Sequence, residues 1–358
     1  MLKMPNLTEL IALCRLYGYD GIAEAAETFR GLSIDEGRRL AVEFLDTEPD
    51  QDLIDDFLHR LAAFVPGSLV DVQKRLVNIG VFYPGILYYQ ASAAVRDQLL
   101  ARVDDPGANA NHLLKSLAWI GDDVVCRRFH EWRGVTPEWS KRLYMAPDRY
   151  AEEAGWTLTP EGTRRDLYFS TCYPIVSAGT ANGELEIQQS RSDACRWCGQ
   201  TLINLLGIDL TLPALAFLGL EGSRLIILSC VRCSDYASIA SDIDLRGNAV
   251  WRKDNERPRF NGFDSDEWEY QSFHWTLASP RRSPFEAHPN FMYRGTSQIG
   301  GYPSWEQDSA FPKCPECRQS MTFIGQVAGS DLDDDMEGHT YAFVCAECRA
   351  ASTVYQQT

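Results

Sequence analysis

Eight of the eleven cysteines in this chain fall in four C-x2-C pairs: Cys195/Cys198, Cys230/Cys233, Cys314/Cys317 and Cys345/Cys348. Two residues between thiolates let a tight turn aim both sulfurs at one cation, and two such knuckles complete the tetrahedron that Zn2+ prefers. Taken as sequential couples, the pairs predict two four-sulfur zinc sites. Thioredoxin-like redox chemistry uses a single C-x-x-C on a strand-to-helix turn, which four pairs in succession do not resemble. Four protein ligands leave no position for water or substrate, so both ions are expected to be structural, each contributing folding free energy on the order of 10 kcal/mol. Cys14, Cys126 and Cys172 stand apart and read as buried thiols.

The two units look alike. Cys198-Gly-Gln200-Thr201-Leu202 matches Cys317-Arg-Gln319-Ser320-Met321 after each first knuckle, and each second knuckle follows an apolar strand. A duplicated β module, spanning about 190–240 and 310–358, is the expectation.

With 358 residues, 45% of them hydrophobic, the chain can bury a core of its own and is long enough for two domains. That argues against a secreted disulfide scaffold, and Glu9 and Arg15 interrupt the apolar start, so a reduced, cytoplasmic setting is expected. No stretch approaches the roughly 18 consecutive apolar residues of a membrane span. The formal charge of −16 excludes a generic nucleic-acid coat. Eight thiolates and two divalent ions would make the loaded protein more acidic still.

Residues 1–150 read as helices. Asn6 stands three before Glu9, and Ser33 three before Glu36, the spacing of a capping box. Apolar residues recur at three and four in Leu53, Phe57, Leu61 and Phe64, and again in Leu113, Leu114, Leu117 and Ile120. Breaks at Pro49, Pro66-Gly67, Pro84-Gly85 and Pro106-Gly107 suggest stacked hairpins, and 111–133 resembles the helix-turn-helix of HEAT-like repeats; a plain bundle is the alternative. After Tyr150 the texture turns to short β-branched or aromatic runs, 166–170, 225–229 and 340–344. The expected fold is therefore α+β, helical over 1–150 and β-rich over 151–358, with −11 of the charge in the second part.

No phosphate loop, dinucleotide fingerprint, H-E-x-x-H or nucleophile elbow is present. The six histidines are scattered over different elements and suggest no dyad. Asp331, Asp333, Asp334, Asp335 and Glu337 form the most acidic run, read as a solvated hairpin loop or as a docking surface for a basic partner. Arg252, Lys253, Arg257 and Arg259 are interleaved with acids and give no stripe for nucleic acid.

Ile299-Gly-Gly-Tyr-Pro303, Trp305-Glu-Gln307-Asp308, Cys314-Pro-Glu-Cys317, Met321, Gln326 and Tyr341-Ala-Phe343 resemble the YwqG-like bacterial proteins. The likeness covers the last 70 or so residues, and carries no catalytic residue with it. Related β-domains occur in toxin and immunity settings, which the resemblance allows. The expectation is thus a cytoplasmic immunity protein, not an enzyme, that occludes a cognate toxin with a basic surface and binds neither nucleic acid nor membrane. An adaptor with structural zinc sites and a hydrolase built from dispersed carboxylates are the alternatives.

Overall fold

A computed structural model describes residues 6–15, 19–135, 137–178, 184–259, 271–290, 294–333 and 336–357. The protein is α+β, as expected, and divides into two compact units. One runs to Asp166 and takes in Phe285–Pro289; the other comprises Leu167–Pro284 and Asn290 onward.

The first unit contains α1 Leu7–Cys14, α2 Tyr19–Arg30, α3 Ile34–Asp46, α4 Gln51–Phe64, α5 Gln73–Ile79, α6 Ala93–Leu100, α7 Ala110–Ile120 and α8 Asp123–Gly134. Both capping boxes form: Asn6 and Ser33 accept the amides of Glu9 and Glu36, whose carboxylates reach back to the cap amides. The apolar spacing buries one face of α4, where Phe57 stacks on Phe44 of α3 with ring centroids 4.4 Å apart and meets Phe29 of α2 edge-on at 5.8 Å. Between α7 and α8 the chain turns at Gly121, whose φ of +53° favours glycine, and Asp122 caps α8 by accepting the amides of Val124 and Val125.

The first unit continues past residue 150 because a short hairpin, β1 Trp156–Leu158 with β2 Arg164–Asp166, finishes the end of α7. Trp156 Nε1 donates to the Ala118 carbonyl at 2.8 Å, and Arg164 donates to the Gly121 carbonyl at 2.9 Å while lying over the Trp156 ring. Both satisfy carbonyls that a helix terminus leaves free. Phe285–Pro289 joins the same unit. Phe285 packs edge-on against Tyr89 and Trp119, and the buried Glu286 receives a two-pronged bond from Arg30 at 2.5 and 3.2 Å.

The second unit is one antiparallel sheet of β3 Phe169–Ser177, β4 Leu185–Ala194, β5 Thr201–Asp209, β6 Arg224–Ser229, β7 Ile239–Ile243, β8 Ala249–Trp251, β9 Phe273–Leu277, β10 Gln298–Gly301, β11 Thr322–Ala328, β12 His339–Cys345 and β13 Ala350–Gln356. Its order is β6-β5-β4-β9-β3-β10-β11-β12-β13-β7-β8. The ends approach each other: Ile226 N–H donates to the Gly247 carbonyl at 2.8 Å, and the Ser229 and Thr353 hydroxyls are 3.1 Å apart. The sheet thus curls around one core, to which β4, β5, β9, β10, β11 and β12 contribute Ile187, Leu206, Trp275, Ile299, Ile324 and Ala342. The run 166–170, expected as one strand, is two, because β2 and β3 part at Leu167-Tyr168. Leu167 turns inward there, fully buried, and its carbonyl accepts the Phe323 amide at 2.7 Å.

In the first unit His59 Nε2 and His288 Nδ1 share a hydrogen bond of 2.6 Å. Desolvation holds both imidazoles neutral, aided by the neighbouring charge of Arg60 at His59 and of Lys115 at His288. His59 lies well below the usual histidine range and His288 is pushed down to about 4. Because the folded values lie below the unfolded one of 6.5, the unfolded chain takes up protons first as pH falls. Stability is expected to be complete at neutral pH and to decline from about 6.5 towards 4, with urea midpoints falling across that window less steeply in the His59→Gln/His288→Gln double variant.

Candidate metal centres

Each first knuckle is built by the same backbone device. The Cys195 amide donates to the Gln200 carbonyl at 2.7 Å and the Gly199 amide to the Cys195 carbonyl at 2.9 Å. At the other cluster Cys314 and Gln319 repeat the first bond at 2.7 Å, and Arg318 and Cys314 the second at 2.9 Å. The residue after the second cysteine is left-handed in both, Gly199 at φ +81° and Arg318 at φ +61°. Glycine adopts that conformation freely; for arginine it costs about 1 kcal/mol.

A strand leaves each knuckle, β5 or β11, and its hairpin partner, β6 or β12, returns to the second cysteine pair. Both hairpins carry an irregularity the same distance past the knuckle: pairing slips between Asn204 and Leu206 in one and between Phe323 and Gly325 in the other. The residues left between, Leu205 and Ile324, both enter the core. The second knuckles differ. After Cys230 the chain makes a helical turn, α9 Val231–Ser234, in which Ser234 N–H donates to the Cys230 carbonyl at 2.9 Å. After Cys345 a turn closes through Arg349, at φ +52°, donating to the Ala346 carbonyl at 3.3 Å.

These elements bring Cys195, Cys198, Cys230 and Cys233 together, and likewise Cys314, Cys317, Cys345 and Cys348. The four sulfurs of each set all lie within 4.8 Å of one another. Particular pairs are closer: Cys195–Cys233 at 3.7 Å, Cys198–Cys230 at 3.6 Å and Cys317–Cys345 at 3.8 Å. Disulfide sulfurs would sit about 2.05 Å apart. A tetrahedron with metal–sulfur bonds of about 2.3 Å has edges of about 3.8 Å, so the spacing fits four sulfurs around one cation.

The charge of the set leads to the same place. Hydrogen bonds from Cys230, then Cys233, hold the Cys195 thiol far below its usual value, and the bond to Cys195 pushes both of those donors far up. Four thiols at this spacing do not all ionise together unless a cation balances them.

The surroundings of the two centres differ. At the first, Cys195, Cys230 and Cys233 are buried in an apolar cluster with Leu202, Ile226, Leu228 and Ile239, closed by Trp197 and Trp251 edge-on at 5.1 Å. At the second only Cys314 is buried, whereas Cys317, Cys345 and Cys348 are part-exposed. Arg252, next to Trp251, extends to Glu316 inside the second centre's first knuckle at 2.7 Å. It also binds Asp242 and Asp254, which accounts for the basic residue as part of an internal ion-pair network.

Asp331 of the acidic run is a brace: its carboxylate accepts the amides of Gly295 at 2.5 Å and Ser297 at 2.9 Å. Asp333 and Glu337 are exposed, and Asp334 and Asp335 lie outside the described residues.

The histidines, scattered over different elements as expected, include two hydrogen-bonded arrangements. Besides the His59–His288 pair, His339 at the start of β12 bonds Glu306 through Nδ1 and the Thr296 hydroxyl through Nε2, the latter at 2.7 Å. The His339 and Glu306 side chains are only 2% and 4% exposed. Beside them Gln326 Nε2 donates to the Thr296 carbonyl at 2.8 Å, and Tyr341 donates to the Ser304 carbonyl at 2.7 Å. This carboxylate–imidazole–hydroxyl chain fastens the segments carrying Thr296 and Glu306 to β12. Its members are far apart in sequence and no spacing announces them, although Glu306, Gln326 and Tyr341 stand among the residues singled out from the sequence.

Fold and site together define an α+β protein with two tetra-cysteine centres able to hold metal. No described helix is long and apolar enough to cross a membrane. The chain is 33% identical over 340 residues to the uncharacterized protein YpfL of Salmonella typhimurium strain LT2, an alignment covering 93% of this chain and 80% of YpfL. It belongs to the family of YpfL. No family model matches the chain, and no solved structure matches it.

Removing His339 would strand a buried carboxylate. His339→Ala is expected to cost about 3 kcal/mol in urea unfolding, against about 1 kcal/mol for Glu306→Gln, whose amide oxygen can still accept from Nδ1.

Proposed function

We propose that both centres hold zinc and that the protein works by contact, as a cytoplasmic immunity protein that occludes a cognate toxin. The observation that carries this reading is the donor set: each cluster is complete with four cysteine sulfurs, which fill the coordination sphere of zinc and leave no place for a substrate. When bound, the ions supply cross-links between the ends of each hairpin, and the Lewis acidity of zinc stays shielded behind sulfur. Tetrahedral sulfur sites also suit iron; zinc is preferred because it fills such a site without redox activity and suits a purely structural role.

The net charge of −16 supports a partner with a basic surface, the surface that toxins acting on nucleic acids or nucleotides use to hold substrate. Closed zinc scaffolds and acidity suit a protein that must recognise one such partner, and the resemblance of 299–343 to YwqG-like proteins is compatible with a toxin and immunity setting.

Metal analysis of the purified protein is expected to give two zinc ions per chain and no iron. Cys195→Ser and Cys345→Ser should each lose one ion together with thermal stability. Coexpression with the toxin encoded by a neighbouring gene is expected to rescue growth and to yield a complex weakened by salt. Growth arrest that persists, with no complex at low salt, would refute the immunity role.

A further inference from the structure

Building on the zinc-loaded reading, we propose that the centre of Cys314, Cys317, Cys345 and Cys348 is an oxidation-sensitive latch, while the centre of Cys195, Cys198, Cys230 and Cys233 is permanent. The two share a first-knuckle backbone and sulfur spacing, so the difference lies in access. A disulfide needs two sulfurs that an oxidant and each other can reach. The first centre offers only Cys198 to solvent, its closest described neighbour Cys230 being fully buried under the apolar cluster of Leu202, Ile226 and Trp251. The second offers Cys317, Cys345 and Cys348, with Cys317 and Cys345 sulfurs 3.8 Å apart on opposite knuckles.

The chemistry balances with a peroxide as oxidant. One thiolate attacks the peroxide, breaking its O–O bond and forming a sulfenic acid; the second displaces hydroxide from that sulfur to form the Cys317–Cys345 disulfide. The two sulfurs lose two electrons, the peroxide takes them with two protons and leaves as two waters, and zinc departs because two sulfurs no longer hold it. The Cys317–Cys345 disulfide then joins the same two knuckles that the ion had joined.

The experiment uses the full-length protein with its zinc counted first, then hydrogen peroxide in the presence of a chromogenic zinc chelator, with thiol alkylation and peptide mass spectrometry on the same samples. One zinc per chain is expected to leave about tenfold faster than the other. Its loss should track a Cys317–Cys345 disulfide while the other four ligands stay reduced, and dithiothreitol with added zinc should restore it. Release of both ions at one rate, earlier oxidation of the Cys195 set, or release without that disulfide would overturn the proposal. The zinc count before oxidant tests the metal assignment separately: absence of zinc sinks both, whereas two ions leaving together sink only the latch.

Discussion

Four sulfurs drawn from the two ends of one hairpin are the constraint around which the second unit is organised. Each first knuckle precedes β5 or β11 and each second knuckle follows β6 or β12, so one cluster fixes where both strands begin and end. The thiols are too close to ionise together without a compensating cation. In the loaded protein proposed above, metal affinity appears as stability of the hairpin.

Repetition of this module accounts for much of the sheet. The knuckle bonds, the left-handed residue and the pairing slip recur, down to the inward placement of Leu205 and Ile324. Divergence begins within the second cysteine pair, where one copy turns through α9 into β7 and the other turns at Arg349 into β13. Those two outgoing strands pair with each other, Ala350 opposite Asp242 and Thr353 opposite Ile239. The copies thus join through their exits, and the same β7–β8 segment carries Trp251 to the first centre and Arg252 to the second.

What could be read in the sequence is what depends on short spacing. The C-x2-C pairs, the capping boxes at Asn6 and Ser33 and the apolar face of α4 all involve residues a turn or less apart, where spacing alone determines geometry. The chain continues in the helical unit past residue 150 for a reason that spacing does not encode: free carbonyls at the end of α7 are met by Trp156 and Arg164, some forty residues downstream. The Thr296–His339–Glu306 chain was equally hidden, because strand order, not local pattern, decides which side chains face each other across a sheet. The return of Phe285–Pro289 to the helical unit belongs with these long-range effects; nothing about Phe285, Glu286 or His288 in the sequence names Trp119, Arg30 or His59 as partners.

The buried polar groups bear on the choice between chemistry and contact. A catalytic group must have a free valence of hydrogen bonding or charge for substrate, and several of the described interior groups are engaged with the scaffold. Arg282 donates to the carbonyls of Gly295 and Thr296 and to Gln298; the Gln298 amide in turn donates to the carbonyls of Gly300 and Tyr302. Gln326 bridges Thr296 and Ser304, and Asp331 holds two amides of the loop before β10. Even the arrangement closest to a reactive triad, with imidazole between carboxylate and hydroxyl, has its histidine and carboxylate side chains at 2% and 4% exposure. Groups so placed hold loops to strands, and the contact role proposed above rests instead on the outer charge.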